Sequence, residues 1–172
     1  MIEALGNIGD FIGGIGVVIT LLYLAFQIRQ NSRSVKAAAA QGVLGSLAQT
    51  LNSIGSSPQA SRVFALGQLD PSKLTDEEVY QFIHLILGYF RIIEQAFYQN
   101  RLGGLDEDLW NGHVAQVSSF MQAPSVQRWW ATRSALFHPD FRRFIDDLPR
   151  DNVTPGGADV VSAIKNGTAS AV

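Results

Sequence analysis

The chain has no cysteine among its 172 residues, which excludes thiol catalysis, cysteine-ligated zinc and a disulfide framework. That fits a reducing compartment without requiring one. Charge is scarce as well: Asp, Glu, Lys and Arg make up 16% of the residues, against roughly 25% in a typical soluble domain. The hydrophobic share, 47%, is ordinary, so part of the surface is expected to be hidden from water. With 13 Lys and Arg against 15 Asp and Glu there is no basic excess to hold a phosphate backbone, and no nucleic-acid partner is expected. Metal-ligand patterns are missing too. No Glu-x-x-His occurs, and His84, His113 and His138 fall on separate segments without ligand spacing, so no metal and no cofactor is expected. There is no glycine-rich phosphate loop, nucleophile elbow or dinucleotide fingerprint; Gly13-Gly14-x-Gly16 sits inside an apolar run. Nothing after Arg29 alternates with period two for long enough to form a sheet, which leaves an all-α fold.

What the chain does have is a long apolar run near its N-terminus. From Phe11 to Ile28 it reads FIGGIGVVITLLYLAFQI, without an ionised side chain. As a helix this reaches about 27 Å, close to the hydrocarbon thickness of a bilayer. Glu3 and Asp10 precede the run, and Arg29, Arg33 and Lys36 follow it. Cytoplasmic flanks collect Lys and Arg, so a single-pass anchor over residues 8–28 would leave the N-terminus outside and the remainder in the cytoplasm. Two other readings compete. A signal peptide needs a basic n-region, whereas this one is acidic. A buried core helix of a soluble helical bundle is the second, since the run is near the short end for a membrane helix. Glycines at 9, 13, 14 and 16 are costly in a soluble helix but common in membrane helices. Gly9 and Gly13 have the spacing that lets two helices approach closely, the candidate route to a homo-oligomer.

The rest reads as helices. Val35, Ala39, Val43, Leu47, Leu51 and Ile54 form one stripe, and no Pro or Gly separates it from Ile28. Ser56-Ser57-Pro58 breaks it, and a short helix around Gln59–Gly67 follows. Thr75 with Glu78 forms a capping box opening a helix striped by Val79, Phe82, Ile83, Ile86, Phe90, Ile93 and Phe97, which stops at Gly103-Gly104. Asp106 caps the next helix, with Leu105 and Trp110 as a hydrophobic staple and Val114, Val117, Phe120 and Met121 facing inward. Pro124 starts a helix bearing Val126, Trp129, Trp130 and Phe137, and Pro139 another with Phe141, Phe144, Ile145 and Leu148. The division expected is an anchor over 1–30, an amphipathic continuation over 31–57, a compact bundle over 58–149, and a disordered tail over 150–172. The tail is rich in Gly, Ala, Ser, Asn and Thr, with no periodic apolar face. One N-terminal transmembrane helix followed by a compact bundle of about five helices is the architecture expected.

Three stretches carry a family resemblance: IGDFIGGIGVVITLLYLAFQIRQNSR at Ile8–Arg33, LTDEEVYQFIHLILGYFRIIEQAFYQNRLGGLDEDLW at Leu74–Trp110, and Trp129-Trp130 followed by FHPDFRRFID at Phe137–Asp146. Together they resemble a family of short bacterial proteins of unknown function, with an N-terminal membrane helix and a cytoplasmic helical domain. The resemblance covers nearly everything but the C-terminal tail. It implies the inner membrane of a bacterial cell and transfers no chemistry.

Two groups of residues stand out as candidates. Tyr80, His84, Arg91, Glu94 and Tyr98 form a polar ridge on the 75–102 helix. His84, Arg91, Glu94 and Tyr98 could bind a small molecule, with Glu94 as base or ligand carboxylate and Arg91 as anion clamp. The competing reading is a polar seam whose groups satisfy one another. Trp129 and Trp130, flanked by Arg128 and Arg133, could anchor a protein partner or simply fill the core. No catalytic constellation appears, so the leading expectation is a non-enzymatic, membrane-anchored module for protein–protein interaction or self-association. The alternatives are an enzyme or small-molecule binder using the ridge, and a soluble bundle with residues 8–28 as core.

Overall fold

A computed structural model describes residues 2–149 and 157–167, and the side chains of 13–149 and 160–167. The fold is all-α, without a strand among the described residues: α1 (Ile2–Gly55), α2 (Pro58–Leu69), α3 (Asp76–Arg101), α4 (Glu107–Phe120), α5 (Pro124–Arg133), α6 (Pro139–Asp146) and α7 (Gly157–Asn166). Short 3₁₀ turns at Pro71–Lys73 and Ser134–Leu136 precede α3 and α6. The chain divides into two compact units, Met1–Ala38 and Ala39–Val172.

The first unit consists of the N-terminal part of α1. Nothing within it covers its apolar side chains: the large ones from Ile15 to Ile28 are 45% to 67% exposed. They occupy consecutive positions, Val17, Val18, Ile19, Leu21 and Leu22 among them, so the apolar surface runs around the whole helix and not along one stripe. The few polar groups here are satisfied locally. Thr20 Oγ1 donates to the Gly16 carbonyl at 2.8 Å, and Gln27 Nε2 donates to the Tyr23 hydroxyl at 3.0 Å.

In the second unit the rest of α1 is a core element. Val43, Leu47 and Ile54 are buried, whereas Leu51 of the expected stripe is exposed, as is Val35, which falls in the first unit. Ser57 caps α2 by accepting from the Ala60 N–H at 3.2 Å, with Pro58 at the first helical position, where its missing donor costs nothing. The capping box of α3 forms as expected. Glu78 also pairs with Arg62, tying α2 to the start of α3. Close packing of these two helices depends on Gly67, where a Cβ would lie 2.3 Å from the Phe82 ring.

α3 supplies the centre of the core: Phe82, Ile86, Tyr89, Phe90, Ile92, Ile93 and Ala96 are buried. Tyr89 and Ile92 lie inside although the sequence stripe did not include them. Val79, Ile83 and Phe97, which it did include, are only half-buried. Gly103, with φ 68°, ends the helix in the left-handed region that glycine enters without strain. α5 stops at Arg133, earlier than expected, so Phe137 reaches the core from the connection after the 3₁₀ turn and not from α5.

The tail departs from expectation. Residues 157–166 are helical, with Val160, Val161 and Ile164 recurring at the one- and four-residue spacing of a helical face, a pattern the polar composition obscures. α7 lies against α2. Residues 150–156 and 168–172 of the expected disordered tail lie outside the described residues.

Candidate functional site

The polar ridge of α3 is brought together only in part. His84 is exposed, with Nδ1 2.8 Å from the Tyr80 carbonyl oxygen one turn back, and it meets neither Arg91 nor Glu94. Arg91 and Glu94 engage the chain's own backbone, and Tyr98 meets a ring. Arg91 Nη1 donates to Glu94 Oε2 at 2.6 Å, and Arg91 Nη2 donates to the Leu136 carbonyl at 3.1 Å. The guanidinium lies over the Phe137 ring, 4.5 Å from its centroid. The other Glu94 oxygen accepts the His138 N–H at 3.0 Å. His138 in turn caps α6, its Nδ1 accepting from the Asp140 N–H at 3.2 Å, and its ring meets Tyr98 edge-on at 5.7 Å. Asp140 pairs with Arg101 from α3 and with Arg143 one turn on, and the Arg101 hydrogen bond holds its carboxyl below the usual range. Desolvation, reinforced by the Glu94 and Asp140 charges, pushes the Tyr98 hydroxyl above its ordinary value.

The ridge therefore clamps the segment Leu136–Asp140 onto α3. Both Glu94 oxygens serve protein donors, and its side chain is 12% exposed. This is the arrangement of a polar seam: backbone groups freed between the 3₁₀ turn and α6 find partners on a neighbouring helix.

Trp129 and Trp130 are both buried, which removes them from any free partner surface. Phe90 stacks on each, with centroid distances of 5.4 Å and 4.8 Å. α5 lies where both of its adjacent tryptophan directions meet aromatic neighbours, so the roughly 100° between them leaves neither in solvent. They differ in polar satisfaction. Trp130 Nε1 donates to Asp146 Oδ1 at 2.8 Å, whereas Trp129 Nε1 is buried without a partner. Among the described residues no group of three His, Asp or Glu side chains is placed to hold a metal ion. His113 is buried on α4, where desolvation lowers its pKa and favours the neutral ring.

A concavity of about 210 Å³ lies elsewhere, between α1, α2, α3 and α4. Leu51, Ile54, Phe64, Leu85 and Phe120 form most of its wall. Phe64 and Phe120 are stacked at 5.8 Å, and Tyr89 leans on Phe120 at 4.5 Å. Thr50, Gln68, Gln116 and Ser119 add polar groups, and no residue lining it carries a charge. Thr50 and Gln68 bond to backbone carbonyls of their own helices. Tyr89 also lines the cavity, and its buried hydroxyl has no hydrogen-bond partner. Burial pushes that hydroxyl well above its ordinary pKa, keeping it neutral. Sequence reasoning passed over this site. Tyr89 lies outside the expected stripe of α3, and only the folded arrangement shows that it is buried and that its hydroxyl lacks a partner.

Fold and sites together define an all-α protein with one N-terminal helix long and apolar enough to span a membrane. Comparison with protein-family models, with curated proteins and with solved structures gave no match.

Proposed function

We propose that this is a single-pass membrane protein of the bacterial family it resembles, holding a non-enzymatic helical domain at the cytoplasmic face of the inner membrane. The observation that carries the reading is the uncovered apolar surface around the whole circumference of α1 from Ile15 to Ile28. In water so large a continuous apolar surface drives association. In hydrocarbon it is the ordinary outside of a helix whose backbone groups are bonded internally, and Thr20 bonded to the Gly16 carbonyl suits that solvent. Within the first unit nothing covers these side chains. Arg29, Arg33 and Lys36 after the span support a cytoplasmic placement of the second unit.

The domain's role in this reading is binding: a protein partner, or a second copy through the helix face of Gly9 and Gly13. The use of Arg91, Glu94 and Tyr98 to hold α6 in place favours binding over catalysis. The test is fractionation of the full-length chain carrying a C-terminal reporter active only in the cytoplasm. An uncleaved product that stays in the membrane pellet through a carbonate wash, with an active reporter, is the expected outcome. A washed-out or soluble product rejects the anchor, and a silent reporter on a membrane-held chain rejects the orientation.

A further inference from the structure

We infer that two copies of this chain pair in parallel through α1, along the side of the helix that carries Gly13, Gly16, Gln27, Gln30, Leu44 and Leu51. The inference rests on the membrane reading, which gives both copies the same direction. α1 runs for 54 residues, a length typical of membrane spans, helical repeats and coiled coils. A coiled coil keeps one side towards its partner by stepping alternately three and four residues. Stepping in that way from Gly9 leads to Leu51 without meeting an ionised side chain. Glu3, Asp10, Arg29, Arg33 and Lys36 all fall elsewhere around the helix. A parallel pair sets each residue against its own twin, so any charge on this path would face a like charge.

The groups on the path match themselves, in a different way in each unit. In the first unit taken alone, Gly13 and Gly16 have open space where a Cβ would stand, so nothing in the chain calls for glycine there. Glycine is costly inside a helix, and in lipid its use is to let a second backbone come close. Further along, Gln27, Gln30 and Ser34 line one shallow groove on the helix surface. An amide or hydroxyl both donates and accepts, so it bonds its own twin, which a carboxylate or an ammonium group does not. In the second unit taken alone, Val43, Leu47 and Ile54 turn inward, whereas Leu44 and Leu51, one heptad apart, are 44% and 48% exposed. Gln41 and Ala48 alternate with them and are exposed as well. Leucine at every second seam position is how a parallel two-stranded coil buries apolar area in water. The neighbouring exposed side, with Gly42, Gly45, Gln49 and Asn52, has no large apolar side chain to bury. A second copy is therefore the occupant that this side fits.

The test uses the full-length chain in the cell fraction that holds it. Because the chain lacks cysteine, a single introduced cysteine reports on one position. Leu44→Cys, Ala48→Cys and Leu51→Cys lie on the path, and Gly45→Cys, Gln49→Cys and Asn52→Cys lie beside it. All of these positions are exposed, so the core is left alone. A disulfide needs Cα atoms within about 7 Å, so oxidation with copper phenanthroline should link the first set about fivefold more readily than the second. The product should have twice the mass of the chain. Adding Gly13→Leu to Ala48→Cys should cut its yield severalfold. Equal yields in both sets, or higher yields beside the path, overturn the pairing side. A product of any other mass overturns the second copy as occupant, and an unchanged yield with Gly13→Leu overturns pairing within the span. Cross-links on the path in a chain that fractionates as soluble support the pair and reject only the anchor. A membrane-held chain without them keeps the anchor and overturns the pair.

Discussion

At the scale of single residues, the two tryptophans separate packing from polar satisfaction. Both are buried against Phe90, and shortening either to phenylalanine removes a similar piece of indole. Trp130→Phe also removes a hydrogen bond to Asp146, worth about 0.5–1.5 kcal/mol. Trp129→Phe removes a buried donor that has no partner, which relieves a desolvation penalty. Trp130→Phe should therefore be the more destabilising by about 1–2 kcal/mol, read from urea unfolding followed by circular dichroism. Equal losses would mean that Trp129 Nε1 has a partner after all. The sequence reading allowed either tryptophan to be core or contact, because spacing tells which way a side chain points but not what stands opposite. The same gap hid Tyr89. Glu94 and Arg91 were legible as a pair three residues apart, whereas their bonds to His138 and Leu136, more than forty residues along, were not.

At the scale of elements, local signals carried far. The Thr75/Glu78 box, the Asp106 cap, Pro124 and Pro139 at first helical positions, and Gly103 at a C-terminal stop all stand where their chemistry put them. These interactions span only a few residues, so tertiary packing does not override them. Legibility failed where an element's inner face is chosen by its neighbours, as for Leu51 in the stripe of α1, and where composition masked period, as in α7. The packing of α2 on α3 is of that first, tertiary kind. Gly67 has no local duty as a turn or cap; it is there because the Phe82 ring occupies the space of a side chain. Gly67→Ala should accordingly destabilise by about 1–3 kcal/mol through overpacking, although alanine is the better helix former by close to 1 kcal/mol. Adding Phe82→Leu should recover part of that loss. A purely additive double mutant, measured by thermal unfolding, would mean the two positions do not meet.

At the scale of the whole molecule, α1 is shared between two units. Its first part carries an apolar surface all round, and Val43, Leu47 and Ile54 later in the same helix are buried in the second unit. The unit boundary at Ala38/Ala39 predicts where they can be parted. A chain begun at Ala39 should be soluble, helical and cooperatively unfolding, and should stay in the supernatant where the full-length protein pellets. A fragment begun after Ile54 should fail to fold, having lost three buried apolar side chains worth about 1.5–3 kcal/mol each. If the Ala39 fragment aggregates while the full chain is well behaved, residues before 39 contribute to the domain's core.

The double service of α1 also has a consequence for synthesis. Val43, Leu47 and Ile54 leave the ribosome ahead of every buried residue of α3 to α6. At roughly 5–20 residues per second, the interval before those helices are complete lasts several seconds. On the proposed membrane reading, the second half of α1 shows its sticky face to the cytoplasm during that time, while the preceding apolar segment is handed to the insertion machinery. Its neighbours on that stretch, Gln41, Ser46, Gln49, Thr50, Asn52 and Ser53, are polar, and on that reading they would keep it from being carried into the bilayer with the span before it. Replacing those side chains with leucine would leave the finished fold largely intact on paper while sending the nascent chain to the wrong solvent.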